Sequence, residues 1–283
     1  MAKIVTKKEL ADNVTLFEIE APEIARKRKA GQFVILRLGE DSERIPLTIA
    51  GSDPERGTVT LVIQAVGKST TEFCACGEGT DICDVVGPLG KPTHIENFGN
   101  VVVIGGGVGI APALPIAAAL KEGGCRVTAL ISGRTKELVI LRDEMTAASD
   151  ALQVATDDGS EGFHGFPTQI LQEMIDKGET INLVVAVGPV PLMRAVCKVT
   201  APHGIQTMVS LNPIMIDGTG MCGGCRVTVG GERRFACVDG PEFDGHQVDF
   251  DELVKRQAWY KEHEAESMEL HTKNCKLNTT RGA

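Results

Sequence analysis

A dense run of glycine is the feature that most constrains the fold of this 283-residue chain. Four of the five residues at 105–109 are glycine, after a continuous apolar run at 100–104 and before an alanine- and leucine-rich segment: Gly105, Gly106, Gly107 and Gly109. A glycine loop between a buried strand and a helix allows backbone N–H groups to reach a pyrophosphate at the helix N-terminus. Because Ile110 occupies the third glycine position of the G-x-G-x-x-G pattern, a tight structural turn is the alternative.

Apolar strands and helical segments alternate from residue 99 to residue 210. Strands are predicted at 100–104, 126–131, 152–155, 181–187 and 206–210. In addition to the helix that follows the glycine loop, helices are predicted at 138–149, 166–177 and 191–200. This alternation predicts a doubly wound parallel sheet, in which ligands bind beyond the carboxyl ends of the strands. The candidate binding residues in those loops are Ser132, Arg134, Asp157, Asp158, Gly188, Pro189 and, just beyond, Met193.

The first hundred residues have a different periodicity. Apolar and polar residues alternate at 13–20, 32–38 and 58–66, and glycine and proline turns separate these segments. In the last of them, Val59, Leu61 and Ile63 share one face, and in the first, Val14, Leu16 and Phe17 are assigned to the core. Short alternating strands at this spacing predict a small antiparallel β-barrel.

Three of the nine cysteines lie close together near the C-terminus, at Cys222, Cys225 and Cys237. Plant-type [2Fe–2S] proteins have a C-x4-C-x2-C pattern and a distant fourth cysteine. Here the last three places are filled and Asp217 occupies the first, among glycines that free backbone amides for the cluster sulfurs. A zinc site with His246 as the fourth ligand and a structural turn with buried cysteines are the alternatives.

Composition limits the partners and the location. The net charge is −9 and no basic stripe is present, which argues against nucleic acid as a partner. Without a signal peptide or a membrane-length apolar run, the cysteines are expected to be reduced or metal-bound, and the protein cytoplasmic. The predicted division is a barrel at 1–98, an α/β domain at 99–210, a cysteine segment at 211–248, and at 249–283 an exposed helix (251–268) with a loose polar tail.

Two of these motifs resemble those of the ferredoxin–NADP reductase superfamily. The G-G-G-x-G-x-x-P form from Gly105 to Pro112 resembles its nicotinamide-binding loop, and residues 44–49 resemble its R-x-P-[LYF]-[ST] flavin motif. The resemblance implies that the strand-end loops hold the ribose, adenine and nicotinamide of NAD(H) or NADP(H). Arg134 then pairs with a 2′-phosphate, stacks on adenine or forms an ordinary ion pair, and the sequence leaves the nucleotide preference open.

The same resemblance implies a flavin on the barrel. Arg44 would supply positive charge to the flavin pyrophosphate, and the Thr48 hydroxyl would lie near the flavin N5 atom. The residues that would run along the isoalloxazine are Pro46, Leu47, Thr48 and Ile49. A second phosphate-binding segment, Gly67, Lys68, Ser69 and Thr70, favours FAD over FMN. No side chain is assigned a catalytic role, because the flavin performs the chemistry.

The order of the three parts over residues 1–250 resembles the electron-transfer subunit of dihydroorotate dehydrogenase B. It is more similar still to the small subunit of NADH-dependent reduced ferredoxin–NADP oxidoreductase (also called sulfide dehydrogenase), which has aspartate where the dihydroorotate subunit has cysteine, the position of Asp217. This resemblance implies FAD, a [2Fe–2S] cluster and NAD(H), a large iron–sulfur flavoprotein as partner, and ferredoxin engaged indirectly in flavin-based electron bifurcation. The alternatives are the dihydroorotate dehydrogenase B subunit and a non-catalytic redox or nucleotide sensor.

Overall fold

A computed structural model describes the backbone of residues 2–281 and the side chains of residues 2–273. The first sheet contains β1 (Ala2–Ala11), β2 (Val14–Glu20), β3 (Phe33–Arg37), β4 (Ile45–Asp53), β5 (Thr58–Gln64), β6 (Asp81–Ile82) and β7 (Asp84–Leu89). Its order is β6-β1-β2-β5-β4-β3-β7, with every pairing antiparallel. The two edge strands are separated in sequence only by Cys83, whose amide donates to the Leu38 carbonyl at 3.1 Å. The chain therefore nearly closes the sheet, which confirms the predicted barrel.

The barrel core contains the predicted face of β5, because Val59, Leu61 and Ile63 are all buried there. The prediction for β2 was wrong in part. Phe17 lies inside the barrel, whereas Val14 and Leu16 pack outside it, against the hydrophobic cluster of the second sheet. Successive side chains of a strand point to opposite faces, so residues 14 and 16 cannot share a face with residue 17.

The second sheet follows the predicted alternation of strands and helices. Its strands are β8 (Asn100–Gly106), β9 (Arg126–Gly133), β10 (Ala151–Thr156), β11 (Phe163–His164), β12 (Leu183–Val187) and β13 (Gln206–Ser210), all parallel in the order β11-β10-β9-β8-β12-β13. Helices α3 (Ile110–Glu122) and α4 (Arg142–Ala148) contribute to the hydrophobic cluster on one face, and α5 (Pro167–Asp176) and α6 (Val190–Thr200) to that on the other. The barrel supplies the two short helices α1 (Pro22–Lys27) and α2 (Lys68–Ala75). These layers confirm the predicted doubly wound α/β architecture.

One helix begins later than the sequence predicts. The pattern at 138–149 indicated a helix from residue 138, but α4 begins at Arg142. Leu141 has a left-handed backbone with φ of +54°, and residues 136–138 form a separate 3₁₀ turn. A left-handed residue cannot belong to a right-handed helix, so the helix starts only after it.

The C-terminal part joins the second sheet. A hairpin of β14 (Arg226–Val229) and β15 (Glu232–Phe235) leads to the short helix α7 (Ala236–Asp239) and to β16 (Glu242–Asp244), which pairs antiparallel with β13 at the sheet edge. The predicted single helix and loose tail were wrong: α8 (Phe250–Gln257) and α9 (Lys261–Arg281) are two helices. Residues 261–281 contain no glycine or proline, so nothing in their sequence interrupts α9. The last two residues of the predicted tail lie outside the described residues.

Helix α9 returns to the barrel, where His271 Nδ1 lies 3.3 Å from a carboxylate oxygen of Glu72 on α2. In the described part of the chain, no helix is long and apolar enough to span a membrane.

Candidate functional site

A cavity of about 1070 Å³ separates the barrel from the second sheet. Its walls come from all three parts of the chain, and among the residues that line it are Phe33, Pro46, Leu47 and Thr48 from the barrel, Gly106, Gly107, Gly109, Pro112, Ser132, Arg134, Asp157, Gly188 and Pro189 from the second sheet, and Leu211, Met215 and Pro241 from the C-terminal part. The sheet residues in this group lie at the carboxyl ends of parallel strands, which is where α/β sheets bind ligands. The structure thus brings most of the predicted nucleotide residues and three of the predicted flavin residues to one cleft.

The glycines of residues 105–109 have different tasks. A Cβ atom on Gly109 would lie 2.6 Å from the Val187 carbonyl oxygen, and one on Gly105 would lie 2.8 Å from the Ile110 Cα. These two positions therefore exclude any side chain, because neighbouring backbone is already in contact. Gly107 has φ of +57° and open space around it, and it borders the cleft. Close packing thus brings the N-terminus of α3 to the cleft, and Gly107 leaves the backbone accessible there.

Three predicted nucleotide residues do not line the cleft: Gly105, which packs against the start of α3, Asp158 and Met193. Asp158 turns away, because its carboxylate accepts hydrogen bonds from the hydroxyl and amide of Ser160 at 2.6 and 3.0 Å, and these bonds lower the pKa of Asp158. Met193 is fully buried in the core, and Leu192 forms that part of the cleft wall instead. The structure also adds the exposed Phe166, which precedes α5 and borders the cleft. An aromatic residue directly before a helix-starting proline was the available signal in the sequence.

The predicted flavin residues separate along β4. Pro46, Leu47 and Thr48 line the cleft, whereas Ile49 is buried inside the barrel and Arg44 is exposed beyond the cleft lining. Ile49 belongs to the barrel core and Leu47 packs against that same core at its cleft end, so the motif does not touch one ligand along its whole length.

The predicted phosphate segment forms the start of α2, at the rim of the cleft beside Val66. Thr70 Oγ1 accepts the amides of Val66 and Gly67 at 3.0 and 3.1 Å, and the Ser69 hydroxyl donates to Glu43. A Cβ on Gly67 would meet no atom within 4 Å, so the backbone before the helix is open to a ligand. Lys68, which begins the helix, is half-buried. Together with the first amides of α2, this segment offers an anion site.

The four predicted cluster ligands come together as two pairs. The sulfurs of Cys225 and Cys237 are 3.1 Å apart, and each side chain is 1% exposed. Cys222 is exposed, and its amide donates to the Asp217 carboxylate at 2.8 Å. The Asp217 carboxylate also accepts the Thr219 amide at 2.9 Å, and the Thr219 bond, followed by those from Cys222, lowers the pKa of Asp217. The structure therefore presents a carboxylate with an exposed thiol beside a buried pair of thiols.

This arrangement fits a cluster with two metal ions. Among the described residues, no three Cys, His, Asp or Glu side chains converge as a single metal ion would require, whereas a [2Fe–2S] cluster takes two protein ligands per iron. Backbone amides already point at the sulfurs, from Gly224 to Cys222 at 3.4 Å and from Cys237 to Cys225 at 3.5 Å. Burial and the neighbouring Cys225 raise the pKa of the Cys237 thiol to about 12, so ligation there requires a metal that displaces the proton.

The fold and this cleft define a class, the flavoprotein oxidoreductases with a ferredoxin reductase-like fold. Phthalate dioxygenase reductase shares the fold alone, with a TM-score of 0.60 at 20% identity over 81% of this chain and 85% of that one. Residues 212–249 match the iron-sulfur cluster binding domain of dihydroorotate dehydrogenase B.

The chain belongs to the family of dihydroorotate dehydrogenase B electron transfer subunits. It is 49% identical over 273 residues to the electron transfer subunit homolog of Thermotoga maritima, covering 96% of both chains. A probable electron transfer subunit of this enzyme from Methanopyrus kandleri is 33% identical, with 86% of this chain and 88% of the relative covered. A solved structure of the NADH-dependent reduced ferredoxin-NADP oxidoreductase, studied for flavin-based electron bifurcation, aligns with a TM-score of 0.91 and 47% identity over 96% of this chain and 98% of that one. These findings confirm the resemblance and the cofactor classes predicted from sequence, whereas the individual ligand assignments stay predictions.

Proposed function

We propose that this chain passes electrons between NAD(H) and a larger iron–sulfur flavoprotein, in a complex that carries out flavin-based electron bifurcation. The observation that carries the proposal is the continuity of the cleft with the cysteine site. Met215 lines the cleft, and Asp217 follows two residues later in the same segment. A nucleotide, a flavin and an iron–sulfur cluster would therefore be neighbours in one molecule, in the order that electron transfer needs.

The residues of the cleft bind and orient in this proposal. Gly106 and Gly107 present backbone amides to the nucleotide pyrophosphate at the start of α3, and Arg134 and Asp157 border the nucleotide on the rim. Thr48 offers its hydroxyl to the flavin ring, and the amides of Lys68, Ser69 and Thr70, beside the open backbone of Gly67, take its phosphates. When bound, FAD accepts a hydride and releases electrons singly. Phe33, Leu47 and Met215 give the cleft an apolar lining that limits access of water to the flavin.

The cysteine site completes the path. Cys222, Cys225, Cys237 and Asp217 would hold a [2Fe–2S] cluster, which carries one electron at a time. Asp217 is a harder donor than a thiolate, so it sets this cluster apart from one with four cysteines.

An exposed apolar surface surrounds Cys222 and fits the larger partner. Met221 is 88% exposed, Ile216 49% and Val238 38%, and all three lie within the cysteine segment. Apolar side chains clustered on a surface mark protein interaction sites. A partner that docks on this surface would come close to the cluster through Cys222 and would itself engage ferredoxin. The expected cytoplasmic location stays a prediction.

A second candidate function is electron transfer to a dihydroorotate dehydrogenase B catalytic subunit. The match of residues 212–249 to the iron-sulfur domain of that enzyme favours it. Asp217, in the position of the first cluster cysteine, favours the bifurcating complex instead.

The test is anaerobic purification of the native complex from its own host, with metal, sulfide and flavin analysis and mass identification of the partner. Two irons and one FAD per copy of this chain, beyond the iron and flavin that an attached large iron–sulfur flavoprotein itself holds, would support the proposal. A dihydroorotate-oxidising partner would establish the second candidate, and zinc in place of iron would refute the assignment of the cysteine site. NADH:dye reductase activity of the complex would exclude a non-catalytic sensor.

A further inference from the structure

The end of helix α8 holds the loop between two of the cluster cysteines. Arg256 Nη2 donates to the carbonyl oxygen of Gly224 at 3.1 Å, and Gly224 immediately precedes Cys225. The next residue, Gln257, donates from Nε2 to the backbone carbonyl of Asn212 at 2.8 Å. The neighbouring side chains of Arg256 and Gln257, at the end of α8, therefore hydrogen-bond to the Cys-Gly-Gly-Cys loop and to the start of the cysteine segment, respectively.

The surroundings of Arg256 keep its charge fixed and unneutralised. Its guanidinium carbon lies 4.9 Å from the centre of the Trp259 ring, which holds the planar group in place. Across the described side chains, no carboxylate approaches the Arg256 guanidinium within the 4.0 Å of an ion pair. Leu253, one turn earlier in α8, is buried in the same hydrophobic cluster as Cys225 and Cys237. Packing thus fixes a permanent positive charge beside the loop.

A second guanidinium lies on the same loop. Nη1 of Arg226 would be 3.2 Å from a Cβ placed on Gly223, so it rests directly against the backbone of that glycine. Two positive charges therefore border the loop, which is the arrangement that a negatively charged group bound there would favour.

We propose that Arg256 is a positioning residue that holds the Cys222–Cys225 loop in place and raises the reduction potential of the cluster; this rests on the proposed function. Three thiolates, one carboxylate, two sulfides and two ferric ions would sum to a charge of −2, and reduction by one electron would make it −3. A fixed cation stabilises the more negative state more strongly, so it favours reduction. The guanidinium keeps its proton throughout, so Arg256 itself exchanges neither protons nor electrons.

The experiment is a redox titration of the intact complex, followed by the electron paramagnetic resonance signal of the reduced cluster. In R256Q, the ratio of reduced to oxidised cluster at the wild-type midpoint should fall about tenfold, which equals about 59 mV for one electron. R256K keeps the charge and should recover most of the potential. R233Q is the matched control, because it removes an exposed charge from β15 that makes no contact with the loop, and its shift should be much smaller. The KM for NADH should not change in R256Q.

Iron and sulfide analysis of the wild-type complex separates this inference from the proposed function. A wild-type complex in which this chain holds fewer than two irons, once the partner's own iron is subtracted, would refute the function itself. A wild-type cluster whose potential is the same in R256Q, or shifts equally in R256Q and R233Q, would overturn the role of Arg256. If R256Q does not retain iron, the R256K variant is decisive. Retained iron in R256K, with a reduction potential near that of wild type, supports the role of Arg256. Loss of iron in R256K as well overturns it.

Discussion

Glu242 is predicted to make this protein less stable at neutral and alkaline pH than in mild acid. The residue lies on β16, and Thr93 Oγ1, in the connection between the barrel and the second sheet, donates to its carboxylate at 2.6 Å. A Cβ on Gly31 would lie 2.6 Å from the same oxygen, so the carboxyl group is packed against the barrel as well. Burial raises the pKa of Glu242 from 4.5 to about 7, and the Thr93 bond only partly opposes it.

The sign follows from proton linkage. Between pH 4.5 and about 7, the folded chain keeps a proton on Glu242 that the unfolded chain has lost, so the free energy of unfolding falls as the pH rises. Above pH 7 the buried carboxylate is charged, and the full cost is reached. At 1.36 kcal/mol per pH unit, the difference in pKa corresponds to about 3 kcal/mol. Glutamine has no such cost, and its amide oxygen can still accept from Thr93.

Denaturant unfolding of wild type and E242Q at pH 4.5 and pH 8, followed by circular dichroism, measures this effect. E242Q should be more stable than wild type at pH 8 by up to about 3 kcal/mol, and this advantage should vanish towards pH 4.5. T93V removes the donor that lowers the pKa, so it should destabilise the wild-type chain more at pH 8 than at pH 4.5. The reasoning is refuted by an E242Q variant that is less stable than wild type at pH 8, or by a difference that is the same at both pH values.

Three other changes test separate parts of the site. D217A should lower the iron content of the complex, whereas D217C should retain the iron and alter the electron paramagnetic resonance spectrum. Unchanged iron content and an unchanged spectrum in D217A would remove Asp217 from the ligand set. G109A places a methyl group 2.6 Å from the Val187 carbonyl, so denaturant unfolding should show a loss of about 1–3 kcal/mol and kinetics a higher KM for NADH, with flavin content unaffected. M221K should weaken the affinity for the partner at least roughly fivefold in a binding titration, while the free energy of unfolding of the free chain stays the same. An unaltered affinity would show that the partner docks on a different surface.

Local sequence patterns predicted much of the fold because they reflect the burial and the backbone conformation of the segment in which they occur. The glycine loop and the alternation of strands and helices predicted the cleft edge of the second sheet, since a continuous apolar strand followed by glycine has few other structures open to it. The spacing of Asp217 and Cys222 predicted that both belong to one ligand set, and in the structure the Cys222 amide donates to the Asp217 carboxylate.

Other features depend on contacts that no local pattern reports. Leu192 lines the cleft in place of the predicted Met193, which is buried in the core. Consecutive residues of a helix point about 100° apart, and the turn at Pro189 sets which of the two faces the cleft. Arg256 is 31 positions beyond Cys225, and only the tertiary packing of α8 brings it to the loop. Strand β16 is three residues long and pairs with β13 across 31 intervening residues, so its own sequence carries too weak a signal.

The cysteine segment has no core of its own, and this has a functional consequence. Cys225 and Cys237 are buried in the same hydrophobic cluster as Phe33 of the barrel and Val209 of the second sheet. Phe33 also lines the cleft, so a single side chain belongs both to the predicted flavin site and to the core that holds two predicted cluster ligands. A cluster held by these two cysteines could not move relative to a flavin in the cleft without disturbing both larger domains. The shared core would therefore keep the two cofactors at the fixed short separation that electron transfer requires, and it would leave the exposed Cys222 side to the partner that is proposed to dock there.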